Sequence, residues 1–91
     1  MDVENKMDLI RKIEIENGCY YFKLGKILNE RHISINKLMR DTDTDFKVIK
    51  RLITGELSKL DMIVLARFCN YLNCSIKDIV DYEEVKSTTK V

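Results

Sequence analysis

Phe46, Lys47, Lys50 and Thr54 have the types and spacing to grip another molecule. Phe46, Lys50 and Thr54 recur at i, i+4 and i+8, so on a helix they share one side, with Lys47 beside them. Val48, Ile49 and Leu52 take the other side. A ring, two ammonium groups and a hydroxyl on one stripe suit a partner rich in acceptor atoms or negative charge. Arg51 adds a guanidinium nearby. Upstream, Ser34, Asn36 and Lys37 stand at the start of another apolar-periodic stretch, where side chains and free N–H groups together attract anions.

The charge distribution points the same way. The chain of 91 residues has a net charge of +1, but residues 21–60 hold nine basic and five acidic groups. The segment on each side is net acidic, so the middle is the natural anion-facing part. A solvated helical surface would also account for an excess of charge, so position carries more weight than the count. A chain this short forms one small domain with a modest core, expected to be shared with a partner. No apolar run approaches about 18 residues, so no membrane span is expected. The polar, acidic start "MDVENKMDLIRK" does not read as a signal peptide. Three cysteines without a secretory signal suggest reduced thiols and a cytoplasmic protein.

Other chemistries find little support. Cys69 and Cys74 are too far apart for the tight pairs that zinc prefers, and His32 is the single histidine. Neither metal nor cofactor is expected, and the cysteines read as buried or half-buried free thiols. No glycine-rich phosphate loop, HExxH or nucleophile elbow occurs. Scattered carboxylates make no acid–base pair, so an enzyme is not expected, and no small-molecule effector site is evident.

The elements that must position the stripe follow from periodicity. Residues 1–8 are polar and expected to fray. Ile13 and Ile15 alternate with Glu14 and Glu16, then Asn17-Gly18 leads into Cys19, Tyr20, Tyr21 and Phe22. That reads as a β-hairpin turning at Asn-Gly, or else an irregular arm. Helix one is expected over residues 22–31, burying Leu24, Ile27 and Leu28. Ser34 caps helix two, whose stripe is Ile35, Leu38 and Met39. Asp45 caps helix three and Gly55 ends it. Ser58 and Asp61 have capping-box spacing before helix four, which offers Ile63, Val64, Leu65, Phe68, Cys69 and Leu72 as an apolar face ending near Asn73. Ser75 and Asp78 repeat the spacing for a short helix five carrying Ile76, Ile79 and Val80. "YEEV" is expected as a terminal strand beside the N-terminal one, and "KSTTKV" as a disordered tail. The organisation is an arm over 1–22, a helical domain over 23–82 and a tail over 83–91.

Two short helices around a brief polar turn form a helix-turn-helix when they cross steeply. "ISINKLM", "DFKVIKRLITG" and "LDMIVLARFCNYLNCSIKDIV", in that order, resemble the Cro/CI-type (XRE) helix-turn-helix family across residues 24–81. The resemblance implies a mainly α, five-helix lambda-repressor-like domain, here with a short N-terminal β-hairpin or arm. It also implies a sequence-specific transcriptional regulator, expected to be a repressor that binds double-stranded DNA as a homodimer on a palindromic operator. Helix three would enter the major groove while helix two crosses the backbone. Lys47 and Lys50 would then donate to guanine O6 and N7, and Phe46 would touch a thymine methyl. Ser34, Asn36, Lys37, Arg51 and Thr54 would contact phosphates.

Each role has a plainer rival. Phe46 could pack at the helix start, Lys47 and Lys50 could be solvated, and Arg51 could pair with Asp45 or Glu56. Three positions depart from the family pattern: Asp43 where the turn commonly has Gly, Met39 where helix two has a small residue, and Ile35 where it has Gln. Asp43 can adopt a left-handed conformation, though less readily than Gly, Met39 is bulky enough to open the crossing slightly, and Ile35 cannot make the polar contact that a Gln there could make. With Asp41 and Asp45 near the phosphate path, they leave an alternative open, a protein-interaction module on the same fold.

Overall fold

The switch from period two to helical period falls after Phe22, and the backbone changes with it. The structure is a computed structural model that describes residues 10–84. The expected fraying of residues 1–8 and the tail at 86–91 lie outside the described residues. Strands β1 (Arg11–Ile15) and β2 (Gly18–Phe22) come first, followed by α1 (Leu24–Glu30), α2 (Ile35–Thr42), α3 (Phe46–Thr54), α4 (Met62–Leu72), α5 (Ile76–Ile79) and β3 (Val80–Glu84). The five helices are as expected. Phe22, placed at the start of helix one by the sequence, instead ends β2, where its ring is buried.

The hairpin is not a separate arm. β3 pairs antiparallel with β2, giving a three-stranded sheet in the order β1-β2-β3 with Phe22 opposite Val80. The C-terminal strand therefore does lie beside the N-terminal pair. It runs through Glu84, past the point where a tail was expected to begin. The turn also differs. Glu16, not Gly18, takes the positive φ, so the loop is Glu16-Asn17 and Gly18 opens β2. Gly18 is needed there for close approach, since a Cβ would stand 2.5 Å from the Glu83 carbonyl oxygen and collide with the Tyr82 hydroxyl.

One face of the sheet rests on the helices. Ile13, Tyr20, Phe22 and Val80 lie on that face and join a core centred on Leu24, Leu38, Ile49, Phe68, Leu72 and Ile79. Gly55, the left-handed terminator of α3 at φ 79°, presses against Ile13 and Phe22. The Lys23 backbone N–H donates to the Ile79 carbonyl at 2.7 Å, tying the start of α1 to the end of α5.

Capping follows the expected chemistry with two exceptions. Ser75 and Asp78 form the full capping box of α5. Asp61 caps α4 directly, accepting from the N–H groups of Ile63 and Val64, so Ser58 is not its cap. Asp45 occupies the N-cap of α3 but its side chain makes no capping bond. Ile63 and Ile76, expected on apolar faces, are 65% and 54% exposed. Ile63 projects away from the Val64, Leu65, Phe68 and Leu72 stripe because a 100° step per residue puts it nearly opposite that stripe's centre.

Candidate nucleic-acid interface

α2 and α3 are held at a fixed angle by a turn with its own internal bonding. Asp43 adopts the left-handed conformation that is open to it, at φ 53° and ψ 52°. The Thr44 N–H then returns to the Met39 carbonyl at 3.0 Å, closing the end of α2. Thr42 and Thr44 are both buried. The Thr42 hydroxyl donates to the Leu38 carbonyl at 2.5 Å and lies 3.0 Å from the Thr44 hydroxyl, which in turn reaches the Thr42 carbonyl at 3.1 Å. From α4, the Arg67 guanidinium donates to the carbonyls of Thr42 and Asp43 at 3.3 and 3.0 Å. The turn is thus satisfied from inside by two hydroxyls and from outside by one cation.

The start of α2 is built as the sequence suggested. Ser34 accepts from the Lys37 N–H at 3.0 Å. Asn36 is exposed, and Ile35 is half-buried against the core. Ile35 and Met39, which replace the polar and small residues of the family pattern, both work as supports under α2. Lys37 is engaged within the chain. Its ammonium meets the Asp41 carboxylate at 2.9 Å, and the Tyr71 hydroxyl of α4 donates to that same carboxylate. The Tyr71 hydroxyl, then Lys37, hold the Asp41 carboxyl below the usual carboxylate range. Asp41 in return raises both Lys37 and Tyr71. Of the three turn-region acids, Asp41 is therefore neutralised locally, while Asp43 and Asp45 are exposed.

α3 is the more available helix. Ile49, Leu52 and Ile53 are buried, and Lys47, Lys50 and Arg51 are exposed on the other side. Among the described residues none of these three cations is in an ion pair, so the local pairing of Arg51 with Asp45 or Glu56 is not seen. Phe46 is 47% exposed. Its ring borders an open groove of about 520 Å³, together with Ile33, Ile35 and Asn36. Thr54 is half-buried, and its hydroxyl accepts from the Glu56 N–H at 3.3 Å. The structure therefore brings Phe46, Lys47, Lys50 and Arg51 onto one exposed helix, with Ser34, Asn36 and Lys37 on the neighbouring one. Thr54 is turned partly to the work of ending α3.

Sequence reasoning missed Thr42, Thr44, Arg67 and Tyr71. The two threonines flanking Asp43 were a local signal for a hydrogen-bonded turn. Arg67 and Tyr71 gave none, because their contacts cross from α4.

The remaining chemical groups are quiet. Cys19 is buried, Cys69 and Cys74 are half-buried, and all three are free thiols. Burial pushes the Cys74 thiol up. Among the described residues no cluster of His, Cys, Asp and Glu could hold a metal ion, and no helix is long and apolar enough to cross a membrane. A family model described as the Cro/C1-type HTH DNA-binding domain matches residues 23–84. No curated protein and no solved structure gives a significant match.

Proposed function

Because this chain belongs to the Cro/C1-type helix-turn-helix DNA-binding domain family and so is a DNA-binding transcription regulator, we propose that it is a sequence-specific repressor that occupies a palindromic operator as a homodimer. The observation that carries this reading is α3, which holds Lys47, Lys50 and Arg51 exposed and unpaired among the described residues. In the major groove Lys47 and Lys50 donate to guanine O6 and N7, and Phe46 packs on a thymine methyl. Arg51 and Thr54 reach the backbone from the end of α3. Ser34, Asn36 and Lys37 take a phosphate at the start of α2. Lys37 contributes least, because a phosphate must share it with Asp41. A module this small gains affinity and register from two-fold symmetry, which is the basis for the homodimer.

The rival, a protein-interaction module on the same fold, draws on the exposed carboxylates of Asp43 and Asp45 beside the phosphate path. Selection from a pool of random duplex DNA across a salt series separates the two. The wild type should enrich a palindrome, with affinity falling steeply as salt rises. Lys47→Glu with Lys50→Glu should cost about 30-fold or more in affinity for the enriched site, since each lost base contact is worth about 1–3 kcal/mol. Unchanged binding by that variant would remove the stripe from the mechanism. A folded wild type that enriches nothing at low salt would leave the protein-interaction module as the better reading.

A further inference from the structure

β1 is an outer strand: β2 lies on one side of it and, among the described residues, no strand lies on the other. An open edge of this kind presents backbone N–H and C=O groups spaced for another strand. β3 forms the opposite edge, and the two edges differ in charge. β3 carries Asp81, Glu83 and Glu84 and no base. β1 reads Arg11-Lys12-Ile13-Glu14-Ile15, with Lys12 and Glu14 exposed on the face away from the helices. Neither makes an ion pair among the described residues.

We propose that β1 pairs antiparallel with β1 of a second copy about a two-fold axis through Ile13, joining two sheets into one. The inference rests on the homodimer reading above and names its surface. With the axis perpendicular to the sheet, both helical layers stay on one side. Ile13 meets Ile13, and Lys12 of each copy stands opposite Glu14 of the other, so one complementary pair is formed twice. Charge selects this register. An axis through Lys12 would set lysine against lysine, and one through Glu14 would set glutamate against glutamate. A β3–β3 pairing about Tyr82 would oppose Asp81 and Glu83 twice. A β1–β3 pairing is head-to-tail, leaves unlike, mutually complementary edges free at its two ends, and so does not close.

Packing agrees with this choice. Ile15 and Leu60, 44% and 39% exposed, border a groove of about 520 Å³ on the helix side of β1 that Ile13 and Leu57 also line. A strand added to β1 covers the flank of that groove. Gly55, at the end of α3, lies against Ile13, so the same axis brings the C-terminal ends of both α3 helices near the symmetry centre.

A charge swap tests the register in the full chain. Sedimentation equilibrium would compare the wild type, Lys12→Glu, Glu14→Lys and the double variant, with circular dichroism to confirm that each is folded. Each single change places like charges opposite one another twice and should weaken the dimer about tenfold or more, while the double change should return to within about threefold of wild type. Single variants that dimerise like the wild type would overturn the β1 pairing but keep a homodimer through another surface. Growth beyond the dimer would overturn it in favour of β1–β3 pairing. A wild type that is monomeric both free and on its enriched DNA would instead sink the homodimer reading underneath.

Discussion

At Thr42 a hydroxyl buried in the helix-turn-helix answers the Leu38 carbonyl and the Thr44 hydroxyl together. Thr42→Val keeps the shape and removes the hydroxyl, so the Leu38 carbonyl loses a donor and the Thr44 hydroxyl keeps only the Thr42 carbonyl. The expected cost is about 1–2 kcal/mol, read as a lower urea midpoint, with a matching loss of DNA affinity if the angle between α2 and α3 relaxes. Asp41 gives a pH prediction with a definite sign. Its folded-state pKa is depressed, so its contribution is present above the unfolded carboxyl value and is lost as pH falls through the folded one. Lys37 and Tyr71 are raised, so theirs is present below their unfolded values and is lost as pH climbs through the raised ones. The link from α2 to α4 should therefore be intact between the acidic and strongly alkaline ends of the range. Urea midpoints measured from neutral pH down to acid should fall less for Asp41→Asn than for wild type, and equal slopes would show that the carboxylate does not matter.

The turn is an element whose conformation the sequence states openly. Asp43 sits at φ 53° where an L residue is strained and glycine is not. Asp43→Gly should raise stability by about 0.5–1 kcal/mol in denaturant titration, because the Arg67 bond goes to the backbone carbonyl and survives. It should also tighten DNA binding at low salt by removing an exposed acid, and an unchanged affinity would place the phosphate path elsewhere. The helices were legible for a simple reason: their apolar residues recur at helical spacing, and Gly55 and Asn73 mark ends by taking positive φ. The hairpin was legible as alternation, but its turn was misplaced by Asn17-Gly18. Gly18 is demanded by a strand that arrives at the other end of the chain, where Tyr82 and Glu83 leave no room for a Cβ. Local reading assigns a glycine to the nearest turn, and only tertiary contact shows that it serves β3. The same limit hid Arg67 and Tyr71. Ile63 differs, because its angle on the α4 wheel was readable and the apolar stripe was simply drawn too wide.

At the scale of the whole molecule, the sheet joins what the sequence separates. Its first two strands precede all five helices and its third follows them, so Phe22 and Val80 meet across the helical core. The helix proposed to read DNA is braced from this sheet, since the end of α3 leans on Ile13 and Phe22. That arrangement has a consequence during synthesis. While the chain is still leaving the ribosome, β2 has its hairpin partner but not β3, and the Tyr20–Tyr82 ring contact at 4.7 Å cannot exist. Closure waits for the last codons of the domain. An interrupted translation product holds every residue proposed to touch DNA, yet lacks the strand that finishes the brace, so prematurely terminated chains should compete poorly for DNA.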